Sequence, residues 1–239
     1  MADATLQPGS FPQAPPPPPQ QPASSSPPSD DEDSDAAAEE ATERLMQSVE
    51  RAFAAAKKKG VAAAQRLMKE MQRVCASDAG MEISLPGDDL LLWQVSLFDF
   101  VFDESSLLHR DLRELSEAAD DLVPLVLRIR FPEDFPFAPP LVYIASPTLH
   151  SEYVFDGALC MEMLVDWQPT YGNVEALLTQ VAAFLAQSAR VASCVRASRS
   201  DDGSSSSSAP GEATEEKAKK AYASLKAFHA QKGWGQARN

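Results

Sequence analysis

The chain has 239 residues, 44% of them hydrophobic and 23% charged, which suffices for one sizeable core and argues against two long domains. Its formal charge of −14 argues against a nucleic-acid binder, because affinity for phosphates rests largely on Lys and Arg that displace counterions. No apolar run approaches the ~18 residues of a membrane span, and the first residues lack the basic-then-apolar pattern of a signal peptide. No membrane partner is expected, and the expected location is cytoplasmic and/or nuclear.

Much of the charge is local: residues 1–43 hold nine acidic side chains and no basic one, so the rest of the chain carries only −5. The 19 prolines cluster between Pro8 and Pro28. Residues 1–43 therefore read as a disordered tail, Pro-rich and then acidic. Neither block buries enough apolar surface to offset ~1–2 kcal/mol of backbone entropy per residue. A solvated tail and a proline-rich ligand for an aromatic-lined groove are both compatible with this composition.

From Thr42 to Cys75 the spacing is helical, with Leu45, Val49 and Phe53, then Val61, Ala64, Leu67, Met68, Met71 and Val74. Gly60 splits the pattern into a helical extension over 44–60 and a core over 61–239. The triplet Lys57-Lys58-Lys59 reads as a solvated helix face or as a docking point for an acidic partner.

The period then changes to two. Ile83 and Leu85 start a strand, Pro86-Gly87-Asp88-Asp89 is a turn, and Trp93, Val95 and Leu97 alternate with polar neighbours. Leu107 to Glu117 is a short helical excursion. Val123 to Phe131 alternates against Arg128 and Arg130, and Leu141 to Ala145 is a fourth strand. Short turns between strands imply an antiparallel meander with one face packed on helices, an α+β domain.

Asn173 caps a helix with the apolar stripe Val174, Leu177, Leu178, Val181, Phe184 and Leu185. A Ser-rich linker over 200–211 precedes a C-terminal helix over 214–231, expected to bury Ala218, Tyr222, Leu225 and Phe228.

Residues 131–170 carry many backbone-fixing residues, from Pro132 and Pro136 to Gly157 and Pro169, and read as a rigid loop held against a sheet. In its middle sits Cys160. Composition leaves it open whether this cysteine packs or reacts, since free Cys is among the most buried residue types. Cys75, Cys160 and Cys194 are too few and too far apart for a disulfide framework, and no Cys-x-x-Cys pair suggests zinc. The histidines His109, His150 and His229 are scattered, so no metal centre is expected.

Five segments in order resemble the catalytic core of ubiquitin-conjugating enzymes. They are Arg66 to Met71, the Gly87-Asp88-Asp89 turn before a tryptophan strand, Phe135 to Pro140, Gly157 to Leu164, and Trp167-Gln168-Pro169. The resemblance runs from about Val61 to the C-terminus. It is narrower with the Q class, through His109-Arg110-Asp111-Leu112, Tyr153-Val154, Cys160-Met161-Glu162, and Tyr222, His229 and Gly233-Trp234. The implied fold is an N-terminal helix, a four-stranded antiparallel meander and C-terminal helices.

The resemblance implies that Cys160 accepts ubiquitin as a thioester from an activating enzyme and passes it on with a ubiquitin ligase. ATP is used only by the activating enzyme, and no cofactor is implied. A thiol is a competent nucleophile and leaving group without a His-Asp triad. Where most of the family carries His-Pro-Asn, this chain has His150-Ser151-Glu152. Losing an oxyanion donor costs ~3–4 kcal/mol, so His150, Tyr153 or backbone N–H groups are candidate supports; His150 is otherwise read as pinning the loop to backbone. The altered site also opens acceptance by a hydroxyl as well as a lysine.

By the same resemblance Phe137, Pro169, Arg66 and Lys69 form a ligase-binding face, Phe137 being otherwise a core residue. Trp93 and Trp167 read as packing residues, and Tyr171 and Glu175 as neighbours of the donor ubiquitin. Two other functions compete: a weak or inactive ubiquitin-binding scaffold of the same fold, and an adaptor acting through its tail. Transfer of other ubiquitin-like modifiers is also compatible with the sequence.

Overall fold

The computed structural model describes residues 30–77, 80–197 and 213–232, with side chains over 40–77, 80–194 and 213–232. The expectations for residues 1–29, the linker 200–211 and Gly233-Trp234 lie outside the described residues. The chain divides into a unit of Met1–Glu39, described only as helical backbone from residue 30, and a unit of Glu40–Asn239.

Helix α1 runs Asp30–Lys59, so it takes in the helical spacing read from Thr42 and the acidic segment before it. The segment opens on acidic residues, which the helix dipole favours, and continues through alanines, which lose no side-chain entropy on becoming helical. Within the larger unit α1 buries Val49, Ala52 and Ala56 in the main core, so 44–60 is part of that core. After Gly60, α2 (Ala64–Ala76) turns Leu67, Met71 and Val74 inward, as the spacing predicts.

Strands β1 (Met81–Ser84) and β2 (Leu92–Leu97), helix α3 (Leu107–Ala119), and strands β3 (Leu125–Arg130) and β4 (Leu141–Ser146) follow. The four strands pair antiparallel in sequence order, with Trp93 opposite Ile129 and Leu127 opposite Ile144. Trp93, Val95, Leu97, Leu125, Leu127 and Ile129 face the core, while Gln94, Ser96, Arg128 and Arg130 take the other face.

Short pieces complete the fold: β5 (Leu149–His150), β6 (Val154–Phe155), β7 (Ala158–Leu159), α4 (Glu162–Val165), α5 (Val174–Ser188), β8 (Arg190–Val191) and α6 (Ala192–Ala197). Strands β7 and β6 extend the sheet beyond β4, and β5 pairs separately with β8. Asn173 caps α5 by accepting from the Ala176 N–H at 3.0 Å. Asp111 on α3, 1% exposed, accepts from Arg190 and from the Val191 N–H, which ties α3 to β8.

The last helix, α7 (Glu215–Gln231), lies on the outer face of the sheet, where Ala218 packs with Leu141, Tyr143 and Ala158. Residues 141–145 of β4 are therefore buried on both faces, so the sheet is covered on two sides here and not one. The expected burial along α7 is corrected at its far end. Ala218 is fully buried and Tyr222 and Leu225 are partly buried, but Phe228 is 49% exposed. No helix among the described residues is long and apolar enough to cross a membrane.

Candidate active site

The β6–β7 hairpin presents Cys160. Its turn needs left-handed backbone at Asp156 and Gly157, and a Cβ at Gly157 would meet the Ile144 carbonyl oxygen at 2.7 Å. Only glycine lets the turn lie this close to β4, where the Ile144 N–H donates to the Gly157 carbonyl at 2.9 Å. One residue past β7, the Cys160 N–H donates to the Tyr153 carbonyl at 2.8 Å, fixing the cysteine at the hairpin's open end.

Cys160 is half-buried, and burial pushes its thiol pKa up. Its Sγ lies 3.4 Å from Nε2 of His229, a residue 69 positions away on α7. The pair sits in an open groove of ≈690 Å³. Phe155, Val165, Leu225 and Phe228 supply apolar walls, and Glu152, Glu162 and Asp166 an acidic rim. α7 is held in place by an ion pair of Glu215 with Arg130 at 3.1 Å and by the Tyr222 hydroxyl donating to the Leu164 carbonyl.

The structure brings together some of the residues expected at this site. Tyr153 lines the groove, packs edge-on against Phe184, and has its phenol pKa pushed up by the hydrogen bond to Glu152 and by that carboxylate's charge. His150 is not among the lining residues: it is exposed on β5 opposite Arg190. Sequence reasoning read the three histidines as scattered and so missed that His229 meets Cys160. The available signal was its place in the Tyr222 to Trp234 signature, which says nothing about where the helix docks.

Phe137 is 77% exposed, which decides against the core reading. Trp167 Nε1 donates to the Pro136 carbonyl at 2.8 Å, and a Cβ at Gly172 would come within 2.6 Å of the Pro136 ring, so the two loops lie against each other. Arg66 of α2 donates to the Gly172 carbonyl at 2.8 Å. Lys69, three residues after Arg66 on α2, and Pro169, three residues before Gly172, are both exposed. Trp93 is fully buried, Trp167 is partly buried, Tyr171 stands 41% exposed edge-on to Trp167, and Glu175 lies in the first turn of α5.

Among the described residues, Asp111, Glu114 and Cys194 have metal-ligand atoms within 4.8 Å of one another. Both Asp111 oxygens already accept from the Arg190 guanidinium, so a cation there would face a fixed positive charge.

A family model described as ubiquitin-conjugating enzyme matches residues 125–209. A mouse (Mus musculus) protein, named as a Q-like ubiquitin-conjugating enzyme, is 37% identical over 122 residues, covering 49% of this chain and 71% of its own length. The chain belongs to the ubiquitin-conjugating enzyme family. Within the family it resembles the Q class: another relative named as Q-like, from Drosophila melanogaster, is 34% identical over 178 residues, 71% of this chain. The chain spans about half, 52%, of that relative's length. A solved Toxoplasma gondii ubiquitin-conjugating enzyme domain aligns over 52% of this chain and 74% of its own, at 20% identity and a TM-score of 0.40. In this member of the family Glu152 lines the groove that holds Cys160.

Proposed function

We propose that this ubiquitin-conjugating enzyme carries ubiquitin as a thioester on Cys160 and passes it to a lysine or hydroxyl acceptor, working with a ligase docked on the Phe137 face. The observation that carries the reading is the 3.4 Å approach of His229 Nε2 to Cys160 Sγ in an open groove. Burial keeps the thiol protonated, so a base beside it matters. As Sγ attacks the incoming thioester, its proton passes to the imidazole; a C–S bond forms and the donor's C–S bond breaks. The imidazole hands that proton to the donor's departing thiolate and is free again. In the second step the acceptor's nitrogen or oxygen replaces Sγ, and the same imidazole takes the acceptor's proton and returns it to Sγ as the C–S bond breaks.

The exposed surface of Phe137, Pro169, Arg66 and Lys69 supports ligase docking by its position beside the groove-forming loops. Arg66 is already tied to Gly172, so its part there is to position the loop.

Mixing the protein with activating enzyme, ATP and ubiquitin, then running gels with and without reductant, tests the reading. A reductant-sensitive band is expected for wild type and Phe137→Ala and absent from Cys160→Ala. Discharge to free lysine, serine and threonine follows in parallel, and a cognate ligase accelerates it for wild type but not for Phe137→Ala. Folded protein that forms no band turns the function to a scaffold; reaction with lysine alone removes the hydroxyl acceptor.

A further inference from the structure

The chain's lysines are unevenly placed. None occurs between Lys69 and Lys217, and every Lys or Arg position in 70–216 is arginine. That stretch holds the whole sheet, the Cys160 hairpin and helices α3 to α6. The difference is chemical. A guanidinium keeps its proton at any ordinary pH and does not attack an acyl group, whereas a lysine amine attacks once it loses a proton. The stretch that carries Cys160 thus holds only cations that cannot take an acyl group from it, and side-chain amines are confined to α1, α2, α7 and Lys232, the residue that ends α7.

Lysines on α7 are not equivalent. Leu225, Phe228 and His229 line the groove, and the 3.6-residue period continues that stripe to Lys232. The helical turn reaches this residue, because the Lys232 N–H donates to the Phe228 carbonyl at 3.1 Å. Its Nζ sits 5.6 Å from the centroid of the Phe228 ring, so the ammonium is held at the groove's edge. Lys219 is paired with Glu215 at 2.7 Å, and Lys217 lines a separate cavity behind Gly157. Lys220 and Lys226 fall off the groove stripe. Residues three apart on a helix have Cβ atoms ~5–6 Å apart, and the flexible four-carbon stem of Lys232 spans that distance toward the His229–Cys160 pair.

We propose that Lys232 is a self-modification site, accepting in cis the acyl group that Cys160 carries. The proposal rests on the thioester reading above. The deprotonated Nζ attacks the thioester carbonyl, a C–N bond forms, the C–S bond breaks, and Cys160 leaves as thiolate. The proton lost by the amine passes through His229 to that thiolate, so the products are an isopeptide and a free thiol, with no further reactant.

The full chain is charged once with ubiquitin, the activating enzyme is quenched, and the reductant-resistant adduct is followed by gel and mapped by mass spectrometry at several protein concentrations. The expected product is an isopeptide at Lys232 forming at a rate independent of concentration. Lys232→Arg, which keeps the cation over Phe228, should charge normally and lose the adduct at least ~tenfold, since a positioned amine outcompetes distant ones by effective molarity. An adduct on Lys57, Lys58, Lys59, Lys69 or another α7 lysine overturns the proposal, as does a concentration-dependent rate or an undiminished adduct in Lys232→Arg. A thioester that forms and decays without any adduct overturns it while leaving the thioester reading standing. If wild type forms no thioester, both fall.

Discussion

Cys160 loses part of its solvent in the groove, and burial holds its proton on more tightly than in water. A thiol in that condition reacts slowly near neutral pH unless a neighbour takes the proton, and Nε2 of His229 stands 3.4 Å away. Alkylation of Cys160 by iodoacetamide, followed by intact mass, should therefore slow about tenfold in His229→Ala near pH 7. The two rates should converge above the thiol's raised pKa, where the base is no longer needed. Equal rates at every pH would show that the histidine only packs there. Cys160 is legible in the sequence because its neighbours form a contiguous motif. His229 is not, because it lies 69 positions further along and the chain between must fold before the two side chains meet.

Helix α7 is where periodicity and destination part company. The stripe Ala218, Tyr222, Leu225 and Phe228 marks an amphipathic helix, but the same stripe serves a packed face at one end and the wall of a groove at the other. Similarly, the meander is readable from its alternation, whereas two-residue strands such as β5 and β8 have no period to read. The docking of α7 has a titratable marker. Burial pushes the Tyr222 phenol up to about 12, and its hydroxyl donates to the Leu164 carbonyl beside the Cys160 loop. An acid whose folded pKa is raised stabilises the fold while it keeps its proton. That contribution is whole below the ordinary tyrosine value of ~10 and is lost as pH climbs to about 12. Tyr222→Phe should lower the melting temperature at pH 8 by ~2–4 °C, the equivalent of one hydrogen bond worth ~1 kcal/mol. The gap to wild type should close between those two pH values. A gap that is absent at pH 8, or unchanged by alkali, would mean that Tyr222 does not anchor the helix.

Across the whole molecule the large pieces are joined by buried carboxylates that sequence patterning cannot assign, since Glu70 and Asp111 look like ordinary polar positions on amphipathic helices. Glu70 is fully buried, with Oε1 2.9 Å from Arg66 and 2.7 Å from Arg73, while Oε2 accepts from the Val174 N–H at 3.0 Å. A negative charge at the start of α5 also suits that helix's dipole. One side chain thus locks α2 to α5, and through Arg66 and Gly172 it sets the loop beside Phe137. Glu70→Ala strands the Val174 N–H in the core and two arginines without their shared partner. Breaking a buried pair costs ~3–5 kcal/mol, and the half-exposed arginine heads recover some of that in water, which leaves ~2–4 kcal/mol. In a domain of this size each kcal/mol moves the melting temperature by ~2–4 °C. A fall of about 4–16 °C is therefore expected from thermal unfolding of Glu70→Ala at neutral pH. Glu117→Ala, which removes an exposed pair with Arg113, should shift it by no more than ~2 °C. Equal shifts for the two variants would show that the α2–α5 joint draws its stability from apolar packing alone.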